Sequence, residues 1–185
     1  MKKIIFYFCG LFILSGCQTY QYSSDPFIVG MRWFDRGNLE LAKQYWEPLA
    51  QKNDCDGQNG MALVLYRENL SKPDKAKTKE SLSYFQKSAA QGHFKSISAL
   101  GDLNYCENET KKMCNTYGFK PNKTEALKDY ILAGKLATSD HEKKYNQGMI
   151  DKVEKTLSPE QVYSAKSAAD KWTPTPAQCT PRKII

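Results

Sequence analysis

The sequence predicts an all-α fold, a short α-solenoid of stacked antiparallel helix hairpins. From Phe27 to about Trp172, apolar residues recur at spacings of three and four, as at Leu39, Ala42 and Trp46, and this spacing places them on one face of a helix. No stretch of the chain shows sustained alternation of apolar and polar residues, so a β-sheet is not expected. The apolar pattern also repeats along the chain, which indicates that one helical unit is stacked several times.

The first element is a predicted export signal, residues 1–16. Lys2 and Lys3 precede an apolar run that ends at Leu14. That run has about 11 residues, whereas a membrane-spanning helix needs roughly 20. The segment therefore has the length of a signal that is removed during export, and not that of a permanent membrane span.

The end of this segment, Leu14-Ser15-Gly16-Cys17, resembles the bacterial lipobox. The resemblance implies that the signal is cleaved before Cys17, and that Cys17 then carries the acyl chains that hold a soluble domain at a membrane. Gln18 stands where lipoproteins kept in the inner membrane usually carry Asp. The resemblance thus favours the outer membrane, with the domain facing the periplasm. The alternative is a plain secretory signal with an incidental cysteine.

The charge of the mature chain indicates that nucleic acid is not its partner. The 185 residues include 27 basic and 20 acidic ones, and loss of Lys2 and Lys3 leaves 25 basic residues and a net charge of +5. The basic residues are dispersed, as at Lys72 and Lys75, with acids such as Asp74 among them. This pattern is typical of a solvated surface.

Four cysteines remain after processing: Cys55, Cys106, Cys114 and Cys179. An even number in an oxidising compartment predicts two disulfides, and four cysteines allow three pairings. Cys106 and Cys114 bracket a short polar stretch, so we expect them to pair with each other. A metal site is the alternative for this pair, but no histidine lies near it in the sequence, and two cysteines are too few ligands.

The other pair, Cys55 and Cys179, is predicted by elimination and then by reach. Trp172 ends the last predicted helix, and the roughly seven residues from there to Cys179 span at most about 23–25 Å. Two layers of packed helices amount to roughly 20 Å, so the tail is long enough to return to Cys55. A frayed tail with a free Cys179 is the alternative.

The mature chain divides into three parts. Residues 17–26 are polar and are expected to form a tether. Residues 27–172 form the helical domain. Residues 173–185 form a proline-rich tail, in which the prolines disfavour helix.

Turn-forming residues divide the domain into predicted helices of about 10–15 residues. The best-marked helix start is Ser158, an N-cap followed by Pro159 at the first helical position and by Gln161, which can complete a capping box. The breaks in the helical pattern lie at residues 35–38, 53–57, 71–74, 91–93, 106–122 and 138–140.

The internal repeat has an offset of 39 positions between its first two copies. This offset aligns Ala42, Tyr45, Trp46 and Ala50 with Ser81, Tyr84, Phe85 and Ala89, and Met61, Ala62, Val64 and Tyr66 with Leu100, Gly101, Leu103 and Tyr105. A third, weaker copy contains Ala126 and Tyr130. A helix pair cannot bury both of its faces alone, so we expect stacked hairpins with Trp46, Phe85 and Tyr130 in the core and small residues at the helix contacts.

The stretch from Ser81 to Gly101 resembles the Sel1-like repeat, a relative of the tetratricopeptide repeat. It keeps the residues that mark that pattern, namely Leu82, Tyr84, Phe85, Lys87, Ala89, Gly92, Leu100 and Gly101. It departs from the pattern in having Tyr105 one place late, with Asn104 at the usual tyrosine position. The resemblance covers about residues 27–172, with one good repeat and two or three degenerate ones.

No catalytic motif is found in the sequence. There is no Gly-x-Ser-x-Gly, phosphate loop or His-Glu-x-x-His. The two histidines, His93 and His141, fall at predicted turns without a partner at metal-ligand or dyad spacing, so both are predicted to be solvated turn residues. We therefore expect a protein that is not an enzyme and has no metal or cofactor.

The expected function is that of a lipid-anchored adaptor that binds another envelope or secreted protein. The resemblance implies a recognition surface at the exposed positions of residues 57–68 and 94–105, with five candidates: Gln58, Arg67, Lys95, Ser98 and Asp102. Two alternatives stay open at this point. One is an inhibitor or immunity factor that binds an envelope-targeted protein, and the other is an envelope hydrolase with an unrecognised site.

Overall fold

The computed structural model describes residues 24–107, 111, 114, 120–175 and 179. Through these ranges the chain forms eight traced helices and no strand. In chain order the helices are α1 (Pro26–Asp35), α2 (Leu39–Gln51), α3 (Cys55–Ser71), α4 (Lys75–Ala90), α5 (Phe94–Tyr105), α6 (Lys123–Leu136), α7 (Asp140–Glu154) and α8 (Pro159–Lys171). The predicted export signal, Cys17 and most of the predicted tether lie outside the described residues.

Each helix packs mainly against its neighbours in sequence order, and α6 packs against both α7 and α8. Three antiparallel hairpins, α2–α3, α4–α5 and α6–α7, therefore follow one another, with α1 before the first hairpin and α8 after the last. This confirms the prediction of an all-α, solenoid-like fold. No helix among the described residues has both the length and the hydropathy that crossing a membrane requires.

Side-chain caps set the helix starts. Asn38, Asp54, Asp74 and Asn122 each accept a hydrogen bond from a backbone N–H of the helix that follows. Ser158 forms the predicted capping box, since its Oγ accepts from the N–H of Gln161 at 3.3 Å, while Oε1 of Gln161 accepts from the N–H of Ser158 at 3.0 Å. Each cap satisfies N–H groups that the first helical turn leaves without a partner.

One aromatic residue of each repeat lies in the core, as predicted. Trp46, Phe85 and Tyr130 are buried in α2, α4 and α6, respectively. The close approach of α5 to α6 depends on the small size of Gly101, because a Cβ at this residue would lie 2.9 Å from Cε1 of Tyr130. The indole N–H of Trp46 donates to the backbone O of Phe27 at 3.0 Å, which fastens α1 to the first hairpin.

The first two hairpins turn in the same way. Gly92 has φ 89° between α4 and α5, and Asn53, which lies 39 positions earlier, has φ 61° between α2 and α3. Asn is one of the few non-glycine residues that tolerate this left-handed conformation. The turn of the first copy, which lacks the glycine, therefore keeps the left-handed backbone that Gly92 gives the second copy.

The structure contains both expected disulfides. Cys106 pairs with Cys114 at a Cα–Cα distance of 6.0 Å, and Cys55 pairs with Cys179 at 5.5 Å. Two backbone hydrogen bonds hold the tail against the turn after α4, from Thr175 to the backbone O of Ala90 and from Cys179 to that of Gln91. The tail thus returns to the N-terminus of α3, where Cys55 is the first helical residue.

Candidate functional site

A groove runs along one face of α3 and α5. On α3 its lining residues follow helical spacing: Asp56, Asn59, Gly60, Leu63 and Tyr66. The groove contains two cavities, and Leu63 lines both of them. The two cavities are therefore adjacent parts of one surface.

The larger cavity has a volume of about 320 Å³, which is within the range of binding pockets for small ligands or side chains. Its walls are mostly apolar and come from α1, α3 and the start of α5: Phe27, Met31, Phe34, Leu63 and Phe94. Cys179 of the tail also lines it, so the Cys55–Cys179 disulfide forms part of the wall.

Polar groups meet in the wall of the larger cavity. His93 is the N-cap of α5, and its Nδ1 accepts from the N–H of Ser96 at 3.2 Å. With Nδ1 as the acceptor, the neutral ring carries its proton on Nε2, which donates to Oδ1 of Asp56 at 3.1 Å. Both side chains are buried, so this hydrogen bond joins α3 to α5 in surroundings where such bonds are strong.

A serine extends this network into the core. Oγ of Ser96 lies 3.0 Å from Nδ1 of His93, 2.9 Å from Oδ1 of Asn59 and 2.8 Å from Oγ of Ser88. Asp56, His93 and Ser96 are the residue types of a nucleophilic triad. Ser96 has no exposed surface, however, so a substrate cannot reach its hydroxyl. The network holds α3, α4 and α5 together.

The smaller cavity, of about 200 Å³, lies farther along α3 and α5. Five of its lining residues are apolar or aromatic, and Asp102 supplies the one carboxylate: Leu63, Tyr66, Phe85, Ala99, Asp102 and Leu103. The hydroxyls of Tyr130 and Tyr145 donate to Oδ1 of Asp102 at 2.7 and 2.8 Å.

In the smaller cavity, the carboxylate of Asp102 has two hydroxyl donors but no cation beside it among the described residues. Burial raises the pKa of Asp102, and the two tyrosine hydrogen bonds lower it in part. Burial also raises the pKa values of Tyr130 and Tyr145, and the carboxylate beside them raises both further. Among the described residues, no Lys, Arg or His forms an ion pair with Asp102.

Two of the five predicted recognition residues line the groove. Lys95 is exposed beside the larger cavity, with its Nζ 5.8 Å from the centroid of the Phe94 ring. Asp102 lines the smaller cavity. Arg67 lies at the margin, where its guanidinium is 4.2 Å from the centroid of the Phe34 ring and donates to the backbone O of Phe34.

The predictions for Gln58 and Ser98 need correction. Gln58 was expected to be exposed, but it is 2% exposed and lies away from the groove. Its Nε2 donates to Asn53, and its Oε1 accepts from Gln91. Ser98 is partly buried, and its hydroxyl donates to Oδ1 of Asn146. Gln58 and Ser98 therefore form hydrogen bonds within the solenoid, although the resemblance implied that they face a partner.

The prediction for His93 was also wrong, because the residue is 7% exposed and not solvated. The internal repeat contains a signal that could have found its role: His93 lies 39 positions after Asp54, which caps α3. The sequence analysis did not predict that α1 contributes to the groove, which it does through Phe27, Met31 and Phe34.

One cluster in the described part of the chain has the residue types of a metal site: Cys55, Asp56 and Cys179. The two sulfurs are joined to each other in a disulfide, so they cannot act as thiolate ligands. That leaves the carboxylate of Asp56, which accepts from His93.

No protein-family model matches the chain, and no match to it was found among curated proteins or solved structures. The resemblance to Sel1-like repeats and to the lipobox therefore rests on the residues quoted above.

Proposed function

We propose that this protein is a lipid-anchored adaptor of the bacterial envelope, which binds an extended segment of another protein in the groove of α1, α3 and α5. The observation that carries the proposal is that two cavities adjoin along one face and share Leu63. Apolar walls with a few fixed polar groups are typical of binding sites. Stacked helical hairpins commonly bind peptides on such extended faces.

The groove has the length of a short peptide. Its residues on α3 extend from Asp56 to Tyr66, and at about 1.5 Å per residue this stretch of helix is about 15 Å long. An extended chain rises about 3.3 Å per residue, so the groove accommodates about four or five residues.

The walls of the groove are held in place before any partner arrives. The disulfide between Cys55 and Cys179, the hydrogen bond between His93 and Asp56, and the indole hydrogen bond to Phe27 each fix one of its sides. A preformed site loses little conformational entropy on binding, which favours affinity.

The proposed anchor keeps this groove near the membrane. About nine residues separate Cys17 from Pro26 at the start of α1, and they span at most about 30 Å. Phe27 and Met31 of α1 line the groove. A segment bound there would therefore be held close to the lipid surface, which suits an adaptor for an outer-membrane or secreted protein.

Site-specific photocrosslinking in intact cells tests the binding function. We expect p-benzoylphenylalanine at Lys95, beside the larger cavity, to give a discrete adduct. The same group at Tyr163 of α8, which is 75% exposed and does not line the groove, should give none. Leu63→Glu, which places a charge in both cavities, should abolish the adduct at position 95. Equal adducts at positions 95 and 163, or an adduct that persists in Leu63→Glu, would refute the proposal.

The anchor is tested separately by fractionation and acyl labelling. Cys17→Ser should release the protein from the membrane fraction and stop incorporation of labelled palmitate. Cys9→Ser, in the apolar run of the signal, is the matched control and should change neither result. A Cys17→Ser protein that stays with membranes and still takes up palmitate would show that the lipobox interpretation is wrong.

A further inference from the structure

We infer that the smaller cavity recognises a basic side chain, lysine or arginine, of the segment bound in the groove, with Asp102 as its counter-ion. This inference rests on the proposed function and adds the chemistry of the partner. It follows from the geometry of one carboxylate and from the chemistry of the walls around it.

The carboxylate of Asp102 is fixed but incompletely satisfied. Both tyrosine hydroxyls donate to the same oxygen, Oδ1, and no described residue donates to Oδ2. The contacts come from two different helices, since Tyr130 belongs to α6 and Tyr145 to α7. The carboxylate is therefore oriented through Oδ1, while Oδ2 accepts from no described residue and is left for a donor of the bound segment.

A negative charge on Asp102 is unfavourable in these partly buried surroundings, which indicates that the partner of the carboxylate is a cation. Asp102 is partly buried among apolar side chains, and burial disfavours its ionised form. Buried Asp129 has a basic neighbour in Lys128, and the partly buried Glu68 and Glu154 have Lys77 and Lys166. Among the residues that the structure describes, only the neutral hydroxyls of Tyr130 and Tyr145 donate to Asp102, so a cation from a ligand would supply the missing attraction.

The walls suit the rest of a basic side chain. Lysine and arginine have apolar stems that pack along apolar surface while the charged end meets a polar group. Leu63, Ala99 and Leu103 provide that apolar surface. Tyr66 and Phe85 add aromatic rings, whose faces attract cations. Since the cavity adjoins the larger one through Leu63, the bound segment would place an apolar side chain in the first cavity and a basic one in the second.

A titration with a single side chain tests the cavity directly. The probes are N-acetyl-lysine methylamide and its neutral analogue N-acetyl-norleucine methylamide, added to the full lipidated protein in detergent micelles and followed by NMR. We expect saturable shifts of the amides of Ala99 and Leu103 with the lysine probe. The norleucine probe should bind at least tenfold more weakly.

Two variants assign the effect to one carboxylate. Asp102→Asn keeps an acceptor for the tyrosine hydroxyls and should weaken binding of the lysine probe at least tenfold. Asp151→Asn removes an exposed carboxylate on α7 and should leave binding unchanged. Melting temperatures of both variants check that the fold is retained. Equal affinity for the two probes, or undiminished lysine binding by Asp102→Asn, would overturn the inference.

Selection from a random heptapeptide phage library separates this inference from the proposed function. The wild-type protein should select peptides that share a lysine or arginine, and Asp102→Asn should select peptides that have lost it. Peptides without a shared basic residue would overturn the inference while the peptide groove stands. If no peptide is selected but the lysine probe binds through Asp102, the peptide groove is wrong and the basic-group site holds. If neither binds, both are wrong.

Discussion

The side chains of His93 and Asp56, 37 positions apart in the sequence, form a hydrogen bond of 3.1 Å in the wall of the larger cavity. The same imidazole caps α5 through its other nitrogen. One buried ring thus starts one helix and ties it to another. The position of α5 relative to α3, and with it the width of the groove, depends on this residue.

The first prediction concerns this pair. His93→Ala should lower the free energy of unfolding by about 2–4 kcal/mol, because it removes an N-cap and a buried hydrogen bond together. A double-mutant cycle with Asp56→Ala, measured by urea unfolding, should give a coupling of about 1–3 kcal/mol. His141→Ala, at an exposed histidine of α7, is the control and should stay within about 0.5 kcal/mol of wild type. Additive effects of the two substitutions would contradict the prediction.

The second prediction compares two glycines inside helices. Gly101→Ala should destabilise the fold by about 1–3 kcal/mol, because the added Cβ meets the ring of buried Tyr130. Gly148→Ala, on the exposed side of α7 with no atom within 4 Å of the new Cβ, should instead stabilise by about 0.5–1 kcal/mol through helix propensity. Thermal unfolding of both variants measures the contrast. Effects of the same sign would show that close packing of α5 on α6 is not what selects glycine at position 101.

The core was predictable from the sequence because periodicity and repetition point to the same residues. Trp46 and Phe85 lie on the apolar face of their helices and correspond in the two copies of the repeat. Their burial follows from local pattern, as does the cap at Ser158. Such features depend on residues that are neighbours in the chain.

The site was only partly predictable, because its residues meet through packing between distant segments. The sequence analysis assigned a recognition surface to the segments that form α3 and α5, and two of its five residues, Lys95 and Asp102, line the groove. It could not show that Gln58 is turned toward Gln91 or that α1 forms a wall. A polar residue at a turn is usually solvated, but His93 is buried at its turn and forms a hydrogen bond with Asp56 of α3.

The third prediction concerns the disulfide between Cys55 and Cys179, which closes a loop with a sequence separation of 124. Replacing both residues with alanine should lower the free energy of unfolding by up to about 4–5 kcal/mol, because the unfolded chain gains the entropy of that loop. Replacing Cys106 and Cys114, whose separation is 8, should cost only about 2.5 kcal/mol.

Urea unfolding of the two double variants measures this difference, and non-reducing peptide mapping checks the pairing. Recovery of Cys55 and Cys179 in separate peptides that react with an alkylating agent would show that the tail is not fastened to α3.

The last prediction is a dependence of stability on pH that arises at Asp129. This buried residue of α6 accepts from Nδ2 of Asn104 at 3.0 Å, and its other oxygen lies 3.5 Å from Nζ of Lys128. Burial raises its pKa from 3.8 to about 6, although Lys128 and the Asn104 hydrogen bond oppose the increase. The folded state therefore holds a proton on this carboxyl over a range of pH in which the unfolded chain has lost it.

The sign of the effect follows from this proton. The contribution of Asp129 to stability is greatest below about pH 4 and is lost as the pH rises toward the folded pKa of about 6. The loss corresponds to at most about 3 kcal/mol, at 1.36 kcal/mol per pKa unit. Asp129→Asn cannot titrate, so its free energy of unfolding should fall less than that of wild type between pH 4 and pH 7. Urea unfolding at both pH values measures the two slopes, with Asp151→Asn as the exposed control. Parallel pH profiles for wild type and Asp129→Asn would mean that this carboxyl keeps an ordinary pKa in the folded protein.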